Sequence, residues 1–292
     1  MRKPSQEALM LRALKRDPVR VVAVTSGKGG VGKTNVAVNL AVSLGLDRRD
    51  VMLLDADLSL ANVDVLLGLQ PQYNLSHVLE GKVGLADTVL SGPARIRIVP
   101  ATSGNYAMTD LPVSSQAAIV HAFQGLERHP EWLIVDTASG ISPSVARFVQ
   151  AAQQAVVVIC DEPASITDGY ALIKVFSRHY GISHFQVVTN RTRDDADGHR
   201  LFTKIRKVTD RYLDVVLRHI GNVPEDRSLR HAVREQRAVV DAYPSSASSL
   251  AFRALARALD ALPVRGPHGG IQFFFERLLR AETPPAPARR RA

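Results

Sequence analysis

The run Ser26-Gly27-Lys28-Gly29-Gly30-Val31-Gly32-Lys33-Thr34 constrains this chain more than any other part of it. It joins the apolar stretch Val21 to Thr25 to a helix-like stretch from Thr34 to Leu44. A strand that stops at a glycine-rich turn and resumes as a helix aims backbone N–H groups and the positive end of the helix at one point. Phosphate is the natural occupant of that point, and Gly27-x-x-x-x-Gly32-Lys33-Thr34 has the spacing of a phosphate loop. The glycines let the backbone approach closely. Lys33 is placed to neutralise β- and γ-phosphate oxygens, and the Thr34 hydroxyl to ligate Mg²⁺.

A loop of this kind needs a sheet behind it, and the rest of the chain supplies one. Apolar runs at Val21 to Thr25, Val51 to Asp55, Arg95 to Pro100, Leu133 to Asp136, Ala155 to Asp161, Phe185 to Asn190 and Val215 to Val223 read as strands. Helices are expected between them at Thr34 to Leu44, Ser114 to Leu126, Ser142 to Ala152, Ser165 to His179, Asp197 to Arg211, Ser228 to Gln236 and Ser245 to Ala261, several opening on a capping Ser or Asp. Ala, Val and Leu dominate, as suits strands buried on both faces. The pattern predicts an α/β fold, a doubly wound and mostly parallel sheet flanked by helices, occupying residues 20–263 as one domain.

Two acidic clusters fall just past strand ends, where a site in such a sheet collects its residues. They are Asp55-Ala56-Asp57 and Asp136-Thr137-Ala138-Ser139-Gly140. Asp136 is placed to hold a metal-bound water, and Gly140 leaves room for backbone to approach a γ-phosphate.

Other chemistries are poorly served. A single cysteine, Cys160, builds neither a disulfide framework nor a thiolate metal site, and the nine histidines form no ligand pair on a helix face. With no leading secretory pattern and no apolar run of about 18 residues, the expected compartment is the cytoplasm. The net charge of +9 resides in the ends: residues 1–20 and 264–292 carry +4 each, leaving +1 for the 243 between. Basic ends on a nearly neutral body favour contact with an acidic surface through those ends.

The early lysine in Lys28-Gly29-Gly30-Val31-Gly32-Lys33-Thr34 resembles the deviant phosphate loop of the MinD/ParA-type ATPases. The resemblance implies ATP and ADP as ligands with Mg²⁺, and a slow, partner-stimulated ATPase. It implies a homodimer in which Lys28 reaches the partner's nucleotide. It also implies a first switch at Asp55-Ala56-Asp57-Leu58, with Asp57 orienting the attacking water, and a second at Asp136-Thr137-Ala138. Backbone and side chains from Gly29 to Asn35 would hold the phosphates. Asn190 would read adenine, and Val223, Pro224 and Glu225 would close the base pocket. The metal would be held through Thr34, Asp57 and Asp136. Within the family, the stretches Leu60 to Leu69, Cys160 to Asp168, Lys207 to Arg211 and Gln236 to Val239 resemble the flagellar-number regulators called FlhG, FleN or YlxH. Those imply as partners a signal-recognition-type flagellar GTPase (FlhF), a flagellar transcription activator of the FleQ type, switch (C-ring) proteins and the anionic inner face of the membrane, with a polar location. Some members carry Asp-Gln-Ala-x-x-Leu-Arg near the N-terminus, a segment that stimulates the GTPase. Here the run is Gln6-Glu7-Ala8-Leu9-Met10-Leu11-Arg12, which keeps Ala, Leu and Arg.

The ends read as appendages. Residues 1–19 form an extension with a short helix from Ser5 to Lys15. Residues 264–282 comprise a Gly-Pro hinge and an amphipathic helix, with Ile271, Phe274, Phe275, Leu278 and Leu279 on one face and Gln272, Glu276, Arg277 and Arg280 opposite. That helix is expected to anchor the protein on a membrane, Phe and Leu entering lipid while Arg meets headgroups. Residues 283–292 read as a disordered basic tail. Three other functions compete: a DNA-partitioning ATPase of the ParA type, a division-site regulator of the MinD type and a metabolic phosphotransferase. The neutral body argues against DNA, and no additional substrate-anchoring motif supports the phosphotransferase.

Overall fold

The computed structural model describes residues 19–57, 62–100, 121–123, 126, 128–263 and 271–280. The expected helix at Ser5 to Lys15, most of the one at Ser114 to Leu126, the hinge and the tail lie outside the described residues. Three strands rich in apolar residues, β1 (Arg20–Thr25), β2 (Val51–Ala56) and β5 (Trp132–Thr137), stand side by side in the middle of an eight-stranded sheet. β2 and β5 are buried along their whole length, as continuous aliphatic runs require when helices cover both faces. Outward from them lie β4 (Arg97–Val99) and β3 (Leu90–Ser91) on one side, and β6 (Gln154–Cys160), β7 (His184–Thr192) and β8 (Val216–Pro224) on the other. The spatial order is β3-β4-β2-β5-β1-β6-β7-β8. Every neighbouring pair is parallel except β3 with β4. The strand expected from Arg95 begins two residues later, because Pro93–Arg95 forms a 3₁₀ turn in which Ala94 and Arg95 take positive φ.

Helix α1 (Lys33–Leu46) follows β1 directly, with Gly32 at its N-cap in the left-handed conformation. After β2 come three short helices, α2 (Val63–Leu66), α3 (Leu75–Leu79) and α4 (Leu85–Thr88). The longer helices begin one or two residues from where the sequence places them. Ser142 caps α5 (Pro143–Ala151) and Asp194 caps α7 (Asp195–Tyr212). Asp226 caps α8 (Arg227–Arg234) and Ser246 caps α10 (Ala247–Asp260), while α6 spans Pro163–Tyr180 and α9 spans Val239–Ala242. Helices α1, α9 and α10 cover one face of the sheet, and α5, α6 and α7 cover the other.

The last helix, α11 (Ile271–Arg280), departs from its expected state. It packs on α5, with Phe274, Phe275 and Leu278 at 2%, 0% and 0% exposure inside a core cluster shared with β2, β5 and Phe123. Phe275 stacks on Phe123 at a centroid distance of 3.8 Å, and Arg277 donates to the Gln150 carbonyl at 2.6 Å instead of standing free for headgroups. The physical reason is the one that would drive it into lipid: burying three large apolar side chains is worth roughly 5–8 kcal/mol as an upper bound. The apolar face expected to be free is thus docked at these three residues; the side chains of Ile271 and Leu279 lie outside the described set. No described helix is long and apolar enough to cross a membrane.

Candidate functional site

β1 carries the chain into the loop, and the close approach of α6 explains the first glycine. A Cβ at Gly27 would lie 2.2 Å from the backbone of Asp168, closer than any side chain can pass. Gly27→Ala must therefore push the loop off α6; a fall in thermal midpoint accompanied by weaker nucleotide binding is the expected result, read by calorimetry with and without ATP. At the other end Gly32 has φ +91°, and a Cβ there would meet Asn190 Nδ2 at 2.3 Å.

The loop's two lysines have different surroundings. Lys33 is buried, and its Nζ lies 2.7 Å from Oδ1 of the fully buried Asp136. Lys28, at the loop's outer edge, is half exposed and pairs with Glu162, which also receives Arg191 at 3.4 Å. Glu162 stands at the N-cap of α6 and holds the Lys28 ammonium above its ordinary pKa through their hydrogen bond.

Asp55 and Asp136 are register partners on β2 and β5. Burial, reinforced by the charge of Asp136, pushes Asp55 up to about 7. Burial also raises Asp136, against the pull of Lys33. Asp55 does not face the cleft. It accepts from the backbone N–H groups of Asp57, Asn62 and Val63 at 3.1–3.2 Å, and so fixes the segment after β2 and the start of α2. Asp57, 9% exposed, is thereby turned toward the loop. Gly29, Gly30, Gly32, Lys33, Thr34, Asn35 and Asp57 line a cleft of about 680 Å³, joined by Ala138 and Ser139 from beyond β5 and by Asn62, Val65, Leu66, Val233 and Gln236 at its mouth. Val31 is buried under the loop. Leu58 to Ala61 lie outside the described residues.

A second recess of about 380 Å³ adjoins the cleft, sharing Gly32, Asn35 and Val233. Asn190, Pro224 and Glu225 line it, and Val223 is buried as the register partner of Asn190. Asn190 Nδ2 donates to the Val31 carbonyl at 2.8 Å, tying the recess to the loop. The expected site residues from the loop, the two acidic clusters and β7–β8 thus converge on one region at the C-terminal ends of the strands. Sequence reasoning gave no role to Glu162, Arg191, Val65 or Gln236, whose partners are distant in the chain. The sequence singled out Asp57, which faces the cleft, and left Asp55 without its role as a holder of backbone.

Among the described residues, three buried acceptors in this region have no hydrogen-bond partner, Asn35 Oδ1, Asp136 Oδ2 and Asn190 Oδ1. A purine nucleotide with a divalent cation offers what they lack, a cation near the phosphates and an exocyclic amine at the base. The residues present therefore fit such a ligand.

Comparison with known proteins agrees with this geometry. A family model described as "ParA: NUBPL iron-transfer P-loop NTPase" matches residues 18–260. The antiactivator FleN of Pseudomonas aeruginosa is 52% identical over 264 residues, covering 90% of this chain and 94% of that one. The flagellum site-determining protein YlxH of Helicobacter pylori is 29% identical over 89% of this chain and 90% of its own. Among solved structures, the septum site-determining protein MinD of Pyrococcus horikoshii, complexed with Mg-ADP, superimposes with a TM-score of 0.66 at 25% identity, covering 83% of this chain and 96% of that one. The family model spans most of the chain and the FleN relative is more than half identical across nine tenths of it, so this chain belongs to the ParA/MinD family of P-loop ATPases.

Proposed function

We propose that the chain is an ATP-dimerised, membrane-associating switch that regulates flagellar number and placement. The observation that carries the switch is the meeting of loop and Asp57 on one cleft, with Asp136 buried behind it against Lys33, while Lys28 stands at the loop's rim. The names of its two flagellar relatives support the biological setting.

In this reading Lys33 leaves Asp136 for the β- and γ-phosphate oxygens, and N–H groups from Gly29 to Thr34 receive the remaining charge. Thr34, Asp57 and Asp136 would hold Mg²⁺, which when bound would neutralise charge on the phosphates. Asp57 orients a water in line with the γ-phosphorus; the water oxygen bonds to that phosphorus as its bond to the β–γ bridging oxygen breaks, and the water's proton passes to the released phosphate, leaving ADP and phosphate. Asn190 accepts from the adenine amine, and Val223, Pro224 and Glu225 shape its pocket. Lys28 exchanges Glu162 for the nucleotide of a second copy, so that ATP joins two subunits.

Dimerisation then links to the membrane. Two copies of α11 on one dimer act together, and the weak binding of one short helix becomes firm through avidity. Because Phe274, Phe275 and Leu278 are buried in the described state, membrane binding requires α11 to leave α5, and hydrolysis allows its return. The slow ATPase is the timer, and its protein partners are a transcription activator, as the word antiactivator for the FleN relative suggests, together with a signal-recognition-type GTPase and switch proteins. The setting is the cytoplasmic face of the membrane near a cell pole.

Co-sedimentation of Asp57→Ala with anionic liposomes tests this reading. Binding in ATP but not ADP, lost in a chain ending at Arg265, is the expected result; binding in neither nucleotide overturns the membrane arm. Light scattering on Lys28→Ala should give a monomer that still binds ATP, and normal ATP-dependent dimers of that variant would contradict the sandwich.

A further inference from the structure

Two stretches far apart in the sequence, Asn62 to Leu69 and Gln236 to Val239, meet at the mouth of the nucleotide cleft. Gln236 Nε2 donates to the main-chain carbonyl of Val65 in α2 at 3.1 Å, across 171 positions of sequence. Gln236 occupies the corner between α8 and α9 with φ +54°, an uncommon conformation for a non-glycine residue. Its N–H bonds to the Val233 carbonyl, and the N–H of Arg237 to that of Ala232, so the corner is held from below. Gly68, also at positive φ, lies so close that a Cβ there would approach Gln236 Cβ to 3.2 Å. Asn62, Val65 and Leu66 form one lip of the cleft, Val233 and Gln236 the other. Leu229, Arg230, Val233 and Arg234 of α8 also wall the base recess.

From this arrangement we infer that Gln236 is a clasp that holds the α2 segment against α8 across the mouth of the cleft. Asp55 fixes that segment from the sheet side, and Gln236 fixes it from the solvent side. With both in place, α2 has a defined position over the phosphates, and α8 borders the base recess and the nucleotide cleft at once through Val233. Nucleotide leaves through the lips that the clasp joins. Gln236 is a positioning residue: its bond goes to Val65 and not to the reacting atoms. The inference rests on the nucleotide-site reading given above and adds a gate to it.

Two substitutions separate a clasp from a structural corner. Gln236→Gly suits the backbone, since φ +54° costs glycine nothing, and removes the donor. Gln236→Glu keeps the shape and puts an acceptor against the Val65 carbonyl. A residue needed only for its backbone would be improved by Gly and indifferent to Glu. Hydrogen exchange on the full chain without nucleotide should show residues 62–69 opening about three- to five-fold faster in both variants, the change that one modest net hydrogen bond corresponds to. The thermal midpoint should be unchanged or higher for Gly. ATP dissociation, followed by displacement of a fluorescent ATP analogue, should accelerate by a similar factor. Unchanged exchange at 62–69 in both variants would overturn the clasp. Faster exchange with unchanged ATP dissociation would overturn the gate. Failure of the wild-type chain to bind ATP would instead defeat the nucleotide-site reading and leave the exchange measurement to decide the clasp.

Discussion

Lys33→Met should lower nucleotide affinity by about a thousand-fold or more, some 4 kcal/mol, and also destabilise the nucleotide-free protein by roughly 3–5 kcal/mol. The first effect follows from removing the side chain at the phosphates. The second follows from the 2.7 Å pair with Asp136, in which both side chains are almost wholly out of water. Removing one member of a buried pair leaves the other charge without compensation. Asp136, already raised by burial, would then relieve the strain by taking up a proton, so the loss should be smaller in acid and grow as the pH rises. The sign is that of a carboxyl whose folded pKa lies above its unfolded one. Pairing Lys33→Met with Asp136→Asn should recover most of the stability without recovering ATP binding. Urea denaturation and isothermal titration read the two effects separately. A lysine variant as stable as the wild type would mean that the pair contributes nothing to the resting fold.

Phe123→Ala should release α11. The ring of Phe123 stacks on Phe275, and its loss opens a hole on the body's side of the contact while leaving the helix's own apolar face intact. Phe-to-Ala changes in cores cost about 3–5 kcal/mol; if about 2 kcal/mol of that falls on the docking equilibrium, the undocked population rises roughly thirty-fold. Liposome binding in ADP should therefore increase by at least about ten-fold, eroding the requirement for ATP. Phe275→Ala weakens the same contact from the other side but also removes an anchor residue, so it should not show the gain. Wild-type behaviour of Phe123→Ala on liposomes would mean that docking of α11 is not what restrains membrane binding.

The features legible in the sequence share a physical signature: each is written in adjacent residues. The central strands are uninterrupted aliphatic runs ending in turn residues, so their existence was plain and their limits shifted by only a residue or two. The phosphate loop is a local spacing. What was missed involves either too few residues to show a period or partners too far away to see. Helices α2, α3, α4 and α9 have four or five residues each, about one turn, and β3 has two. Asp55 looks like any acid at a strand end until its three backbone donors are placed around it. Glu162 lies 134 positions from Lys28, and Gln236 lies 171 from Val65. The last helix illustrates a deeper ambiguity. An amphipathic face records that apolar groups avoid water, not whether lipid or protein replaces it, and only the contact with Phe123 and α5 distinguishes the two.

The position of β1 bears on how the protein is born. The strand is synthesised well before either of its neighbours: β5 begins at Trp132, and β6 ends at Cys160. A chain emerging from the ribosome carries the whole loop long before it has anything to flank it, and the loop-closure entropy of joining such distant strands is met only when β6 is free. Nascent chains arrested short of Cys160 should accordingly not retain ATP, which makes nucleotide capture a signal that the middle of the sheet is complete.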